Sequence, residues 1–221
     1  MAIPVLIIGK SGSGKSASMK NCVGKDFNIV RVLDKQLPFK GKINGWVTDD
    51  YQMIRRALRS APAKSIVIDD AGYLITNFFM RNHSTKGKGN DVFGLYNQMA
   101  DDFWNMIQNV IMKEVPADKI VYIIMHEDTD DYGNIKAKTI GKLLDDKICL
   151  EGLCTVVLRC VNNLTEHKFI TQSDGSAISK SPEGMFEDLE IPNDLLYVDD
   201  QIREYYEIQN SKNKESGEQS V

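Results

Sequence analysis

The chain has 221 residues, of which 42% are hydrophobic and 26% are charged, and its formal net charge is -4. These values suit one α/β domain with a real core and argue against a large basic surface for nucleic acid. No apolar run reaches the roughly 18 residues of a membrane helix, and no signal peptide is recognisable at the N-terminus. We therefore expect a cytoplasmic protein without a membrane partner.

The first part of the chain alternates strands with helices. Strands are predicted at 3–8, 27–33, 65–69 and 120–125, most of them short apolar runs typical of strands buried on both faces. Helices are predicted from near Lys15, between Asp50 and Pro62, from near Ala71 to about Arg81, and over the amphipathic segment from Val92 to Val110. The polar segment 82–91 is predicted to be an exposed loop. This order predicts a mostly parallel sheet flanked by helices.

The second part of the chain is richer in strands. The sequence predicts, in order, a hairpin-like excursion after His126, a short helix near 140–149, strands near 154–161 and 166–171, a turn at 173–175 and a helix near 194–208. We expect the later strands to extend the sheet as a C-terminal β-hairpin. The polar tail 209–221 is predicted to be disordered, which leaves a single domain at 1–208.

The strongest motif follows the first strand. Its eight residues fit the pattern G-x-x-x-x-G-K-[ST] of a P-loop and lead into a helix. The predicted nucleotide-binding residues are Gly9, Lys10, Ser11, Gly12, Ser13, Gly14, Lys15, Ser16 and Ala17. The glycines let the backbone approach phosphate, and we expect Lys15 to bridge the β- and γ-phosphates. The hydroxyl of Ser16 is the expected Mg²⁺ ligand.

A second motif ends the third strand. In IVIDD an apolar strand ends at Asp69 and Asp70, which is the Walker B pattern. Asp69 is expected to hold Mg²⁺ through water opposite Ser16. The structural alternative is an acid that caps the following helix at Ala71.

Hydrolysis also needs a group that orients or activates water. Asp70 and Asp34, which follow the ends of two predicted strands, are the candidates, and the alternative for each is a solvated loop acid. His126 ends the fourth strand. Ligands of open parallel sheets bind beyond the carboxyl ends of the strands, so His126 is either a sensor of the γ-phosphate or a residue that only caps the end of its strand.

Two basic features have competing interpretations. Arg159 lies in the apolar run TVVLRCV, where a charge is costly. It reaches a neighbouring subunit's phosphate, pairs with a core acid, or faces solvent on an edge strand. Lys86 and Lys88 either contact a nucleic-acid backbone or belong to an ordinary solvated loop.

Several classes of P-loop protein are disfavoured. No arginine occurs between Asn82 and Leu158, whereas small-molecule kinases commonly clamp the phosphoryl group with a lid arginine. The guanine-specificity motif NKxD and the LSGGQ signature of ABC ATPases are missing, and the chain is short for an AAA+ module. ATP is therefore the expected nucleotide.

The remaining pattern resembles the core of RecA-type ATPases over roughly residues 1–190. The resemblance is carried by GKSGSGKS, IVIDD, IVYIIMHED, TVVLRCV, EHKFITQ and SAISKSPEGMF. More narrowly, the chain resembles small single-domain ATPases that bacteriophages encode. Those proteins serve homologous recombination or replication together with single-stranded-DNA-binding and annealing proteins, which implies the cytosol of a bacterial host.

The resemblance also implies two roles. A basic residue late in the RecA-type core reaches the neighbour's γ-phosphate, and by position this is Lys180, although Ser179 and Pro182 depart from the more basic form of the motif. The usual catalytic Glu at the end of the second strand is replaced by Asp34.

We therefore expect Mg²⁺-dependent ATP hydrolysis coupled to remodelling of single-stranded DNA or of a DNA–protein complex. The resemblance implies a homo-oligomer, either a ring or a filament, with nucleotide between subunits. The alternatives are an ATP-dependent switch, assembly or packaging factor that contacts protein only, and a small-molecule kinase.

Overall fold

The computed structural model describes residues 1–86, 91–145, 147–163, 165–173, 175 and 177–208. The strands of this part of the chain are β1 (Ile3–Gly9), β2 (Phe27–Arg31), β3 (Gly45–Val47), β4 (Ser65–Asp69), β5 (Ile120–Ile124), β6 (Glu127–Thr129), β7 (Ile135–Ala137), β8 (Val156–Asn162), β9 (His167–Ile170) and β10 (Glu190–Pro192).

The helices lie between these strands. They are α1 (Tyr51–Ser60), α2 (Gly72–Lys86), α3 (Asp91–Asn105), α4 (Lys142–Asp145) and α5 (Leu195–Tyr205), with 3₁₀-helices at Ser16–Cys22 and Glu151–Leu153. A π-helix, Met106–Glu114, continues α3 without a break. Side chains cap two of these helices, since Asp50 and Asp194 accept hydrogen bonds from the first turns of α1 and α5.

One large sheet organises the described residues. Its strand order is β10-β9-β8-β1-β5-β4-β2-β3. Strands β8, β1, β5, β4, β2 and β3 run parallel to one another, whereas β9 pairs antiparallel with β8 and β10 pairs antiparallel with β9. The fold is therefore α/β with a mostly parallel central sheet, and the carboxyl ends of the parallel strands meet at one edge. The strands β6 and β7 form a separate antiparallel hairpin.

Both faces of the sheet are buried by helices. On one face Leu6, Ile68 and Ile123 belong to a core shared with α1, α2, α3 and the π-helix. On the other face Ile7, Val67 and Tyr122 pack with the first 3₁₀-helix and α5. Alternate residues of one strand thus enter two cores, which is why these strands read as continuous apolar runs.

Two local predictions need correction. The helix expected near Lys15 is a 3₁₀-helix of seven residues that ends at Cys22. Residues 82–86, predicted to be loop, belong to α2, where Asn82 and Thr85 hydrogen-bond to carbonyls of their own helix. Because the residues at this solvated end of the helix are polar, they lack the apolar spacing by which a helix is recognised, and the segment resembles a loop in sequence.

The short strands β3 and β10 were not predicted, because three residues carry no period. The predictions for Lys88, for Asp174 in the predicted turn and for the tail 209–221 concern positions outside the described residues. Within the part that the structure covers, none of the helices has the length and apolarity needed to cross a membrane.

Candidate nucleotide site

The loop Gly9–Ser16 joins β1 to the first 3₁₀-helix at the carboxyl edge of the sheet. Gly12 and Gly14 have φ of 77° and 101°, a region that side chains rarely adopt. At Gly9 a Cβ would lie 2.5 Å from the carbonyl oxygen of Cys160, since β8 runs beside it. The loop therefore needs glycine at these positions, and its backbone stays open to a close ligand.

Lys15 lies across this loop. It is buried, and its Nζ donates hydrogen bonds to the carbonyl oxygens of Gly9 and Lys10 at 2.8 and 2.7 Å. Burial lowers the pKa of Lys15, while Cys160, Asp70, Glu127 and Asp69 act in the opposite direction. The ammonium group is therefore held at the loop by carbonyl dipoles and faces nearby acids.

Ser16 and Asp69 connect the two sequence motifs. The Ser16 hydroxyl donates to Oδ1 of Asp69 at 2.9 Å, although the residues are 53 positions apart in the chain. Asp69 ends β4, two strands away from β1. Burial and then the adjacent Asp70 raise the pKa of Asp69 to about 6, against the effect of the Ser16 hydrogen bond. Asp69 is thus mainly ionised at neutral pH.

Asp70 lies next to Asp69 in a strained backbone conformation. It is a non-glycine residue with φ of 60°, and its side chain is buried. A non-glycine residue in this region costs about 1–3 kcal/mol and occurs preferentially at functional sites. Lys35 forms an ion pair with one Asp70 oxygen, and Nε2 of His126 lies 3.9 Å from the other.

His126 follows β5 and is half-buried beside Asp70. Burial and then Lys15 lower the pKa of His126, while Asp70 opposes this effect. The imidazole is therefore mainly neutral at pH 7 and can donate or accept one hydrogen bond. The ring of Tyr73 packs edge-on against it, with the ring centroids 6.1 Å apart.

These groups surround a cavity of about 270 Å³ that we call the phosphate cavity. Six loop and helix residues predicted to bind nucleotide line it, together with Asp70 and His126; the six are Ser11, Gly12, Gly14, Lys15, Ser16 and Ala17. Gly9 and Lys10 contribute the carbonyls that hold Lys15. The Ser13 hydroxyl is buried and has no hydrogen-bond partner among the described residues.

Three residues that contact carbonyl oxygens of the loop were not predicted from the sequence. Cys160 Sγ donates a hydrogen bond to the Ser13 carbonyl at 3.0 Å. His167 Nδ1 lies 2.8 Å from the same oxygen and donates to it in the tautomer that has its proton on Nδ1. Asn193 Nδ2 donates to the Gly14 carbonyl at 3.0 Å. These residues are more than 140 positions away in the chain. Only the strand order β10-β9-β8-β1 brings them to the loop.

Lys35 and Pro38 were also missed, and both line the phosphate cavity. Asp34, the neighbour that was predicted, instead has a side chain that is 80% exposed and lies 3.6 Å from Arg31. The geometry therefore favours Asp70 over Asp34 as the acid closest to the cavity.

Arg159 lies inside the sheet. The interpretation as a solvent-facing residue of an edge strand is wrong, because β8 has β1 on one side and β9 on the other. The guanidinium donates to both carboxylate oxygens of Glu127, at 2.8 and 3.0 Å. Arg159 thus pairs with a buried acid of its own chain, in the two-pronged geometry that arginine favours.

Lys180 lies away from the phosphate cavity of its own chain. Its backbone exchanges two hydrogen bonds with Val157, at 2.9 and 2.8 Å. Val157 pairs with Leu6 near the middle of β1, whereas the loop begins at Gly9. A role of Lys180 toward a neighbouring subunit stays a prediction.

The residues at the cavity fit a nucleoside triphosphate with Mg²⁺. Among the described residues no group of three or more His, Cys, Asp or Glu side chains is placed to hold a metal. Mg²⁺ on a nucleotide does not need such a group, because it takes one or two protein oxygens and completes its shell with phosphate and water. The Ser16 hydroxyl and the Asp69 carboxylate supply such oxygens, and Lys15 and Lys35 supply positive charge.

A comparison with models of known protein families gives no match, and a search of curated proteins gives none either. The geometry of the phosphate cavity therefore carries the inference of function.

Proposed function

We propose that this protein is a Mg²⁺-dependent ATPase whose site is the phosphate cavity. The observation that carries the proposal is the 2.9 Å hydrogen bond from Ser16 to Asp69. It joins the end of the glycine-rich loop to the acid after a buried strand, so that a hydroxyl and a carboxylate face the same point. Both groups are ligands that Mg²⁺ prefers.

The other residues have distinct roles in this proposal. Lys15 binds the β- and γ-phosphates, and bound Mg²⁺ neutralises charge on the phosphates. Asp70 orients the attacking water and accepts its proton as the water oxygen bonds to the terminal phosphorus. The bond from that phosphorus to the leaving ADP oxygen breaks, and phosphate departs. His126 lies beside Asp70 and is the candidate sensor of the γ-phosphate.

Within the α/β class we assign the domain, 1–208, to the RecA-like ATPases. The support is the arrangement of the motifs, with β5 between the loop strand β1 and the acid strand β4 and an antiparallel extension after β8. On the resemblance to phage ATPases, we propose that hydrolysis drives remodelling of single-stranded DNA or of a DNA–protein complex. The homo-oligomer and the cytosolic location belong to the same proposal.

The test is phosphate release from ATP with Mg²⁺, with and without single-stranded DNA, beside Lys15→Ala. Stimulation by DNA that vanishes in the variant supports the proposal. Hydrolysis that depends on Lys15 but ignores DNA leaves the ATPase and rejects the DNA role in favour of a protein-only switch or assembly factor. The absence of Lys15-dependent phosphate release rejects the hydrolase.

A further inference from the structure

His167 lies at the rim of the phosphate cavity. It is the first residue of β9, it lines the cavity, and it is exposed. The carbonyl oxygen of Ser13, 2.8 Å from Nδ1, can only accept a hydrogen bond, so Nδ1 carries the proton of the neutral ring. Nε2 is then an acceptor, and it makes no hydrogen bond to any residue that the structure describes.

The loop fixes the orientation of the imidazole ring. A Cβ at Gly14 would lie 2.9 Å from Cγ and Nδ1 of His167, so the ring packs directly on the loop. Cys160 donates to the same Ser13 carbonyl, and Asn193 donates to the carbonyl of Gly14 beside it. Because the two nitrogens of an imidazole ring point in diverging directions, Nε2 points away from the backbone of the loop.

His167 and the proposed catalytic acid lie on opposite sides of β1. Asp70 follows β4, and His126 follows β5, which is the neighbour of β1 on one side. His167 begins β9, which lies beyond β8 on the other side. The proposed function places the terminal phosphate beside Asp70. A nucleotide that spans the loop from there has its base on the side of β9.

The size of the phosphate cavity agrees with a base at its rim. Its volume of about 270 Å³ is below the roughly 300–1,000 Å³ of pockets that enclose most of a small molecule. The cavity therefore encloses the phosphates and leaves the ribose and the base at its mouth. His167 is exposed at this mouth, whereas Lys15 is buried.

We propose that His167 selects adenine, with Nε2 accepting a hydrogen bond from the 6-amino group of the base. The inference rests on the proposed function for the orientation of the nucleotide. Guanine has a carbonyl oxygen in place of this amino group, so two acceptors would face each other and no hydrogen bond would form. A hydrogen bond selects between bases because the wrong base leaves a polar group without its partner.

Analogues of ATP test this contact directly. Purine riboside 5′-triphosphate differs from ATP only in lacking the 6-amino group. We expect it to bind roughly 2- to 12-fold more weakly than ATP, which is the range for one hydrogen bond. GTP should also bind more weakly than ATP. The affinities are measured with Mg²⁺ by competition against a fluorescent ATP analogue, which reports binding whether or not hydrolysis follows.

The variant His167→Asn separates selection of the base from support of the loop. Asparagine places its amide nitrogen near the position of Nδ1, so the hydrogen bond to Ser13 is kept while the acceptor Nε2 is removed. In this variant ATP and purine riboside 5′-triphosphate should bind equally. Asn193→Ala is the matched control, because it removes another side-chain contact to the loop. It should weaken both nucleotides by the same factor and leave the ratio of their affinities unchanged.

Three outcomes overturn the inference. One is equal binding of ATP and purine riboside 5′-triphosphate by the wild type, and another is a preference for ATP that persists in His167→Asn. The third is a loss in that variant of discrimination against 2′-deoxy-ATP or 3′-deoxy-ATP instead, which assigns Nε2 to a ribose hydroxyl. Failure of the proposed ATPase is seen separately, as the absence of phosphate release while ATP still binds best. If no nucleotide binds in a way that Lys15→Ala weakens, both proposals are rejected.

Discussion

At the scale of single residues, Lys35 is the least expected member of the phosphate cavity. It lines the cavity and pairs with the buried Asp70. We expect Lys35→Ala to raise the KM for ATP roughly 10- to 150-fold, because a charge-assisted contact to phosphate contributes about 1.5–3 kcal/mol. Steady-state phosphate release measures this, and Lys35→Arg should retain most of the affinity.

Lys40 provides the matched control for that experiment. It is exposed and lies on the same loop, five residues further along. Lys40→Ala should leave the KM unchanged. Equal values of KM in the wild type and in Lys35→Ala would show that Lys35 serves only to neutralise Asp70.

A second residue-scale prediction concerns Gly14. Its φ is 101°, and a Cβ there would meet Asn193 at 2.6 Å and His167 at 2.9 Å. In Gly14→Ala the backbone strain costs about 1–2 kcal/mol, and each displaced hydrogen bond to the loop costs about 1 kcal/mol more. The free energy of unfolding, from urea denaturation, should therefore fall by about 2–4 kcal/mol.

Gly24 separates the two contributions. Its φ is 71°, but a Cβ would have no neighbour within 4 Å among the described residues. Gly24→Ala should cost only the strain, about 1–2 kcal/mol. Equal losses in the two variants would mean that Asn193 and His167 do not support the loop.

The sequence identified the residues of the site that lie within a local motif, and it missed those that arrive from a distance. The spacing of Gly14, Lys15 and Ser16 matches the pattern of a phosphate-binding loop and can be recognised within eight residues. His167 and Asn193 act through ordinary polar side chains at positions that only the strand order brings to Ser13 and Gly14. Nothing in their local sequence distinguishes them from other surface residues.

At the scale of elements, α5 is fixed to the sheet by a buried polar network. Asp199 accepts hydrogen bonds from Ser65 at 2.5 Å, Tyr122 at 2.8 Å and Arg203 at 2.7 Å. Arg203 also donates to the carbonyl of Lys64 at 3.1 Å. The network therefore ties one helix to β4 and β5 at the end of the sheet opposite the phosphate cavity.

We predict that Arg203→Met lowers the free energy of unfolding by about 3–5 kcal/mol, because it leaves the buried Asp199 carboxylate without its cation. Chemical denaturation followed by circular dichroism measures the loss. Lys168→Met removes an exposed partner of Glu190 and should cost less than about 1 kcal/mol. Similar losses in the two variants would contradict the role given to the network.

Helices and strands were predicted correctly where their own residues show a clear pattern of apolar positions. β4 and β5 were predicted because strands buried on both faces are short and have an apolar centre. The π-helix Met106–Glu114 was predicted only as helix, because its buried residues Met106, Ile107, Val110 and Ile111 recur four positions apart, as they also do on one face of an α-helix. β10 exists because it pairs with β9, and a segment of three residues does not show which strand it will pair with.

At the scale of the whole molecule, the phosphate cavity is assembled from distant parts of the chain. The loop after β1, the loop after β2, the ends of β4 and β5, and β9 all contribute to its lining. A ligand that contacts these segments together binds the folded state and cannot bind the unfolded chain in the same way. Its binding free energy is therefore added to the stability of the entire fold.

Mg²⁺-ATP should accordingly raise the melting temperature by about 5–10 °C at a concentration near 100 times its Kd. That concentration contributes about 2.7 kcal/mol, and 1 kcal/mol moves the midpoint of a domain of this size by about 2–4 °C. Differential scanning calorimetry measures the shift. The shift should shrink with EDTA, because in the proposed function Ser16 and Asp69 bind the nucleotide through Mg²⁺.

Two variants decide whether the shift comes from the phosphate cavity. Lys15→Ala should abolish it, since the proposed function assigns the phosphates to the buried ammonium group of Lys15. Lys20→Ala, an exposed lysine on the following 3₁₀-helix, should preserve it. If ATP stabilised the Lys15→Ala variant as much as the wild type, the nucleotide would bind elsewhere on the molecule, and the convergence of five segments at the loop would need another explanation.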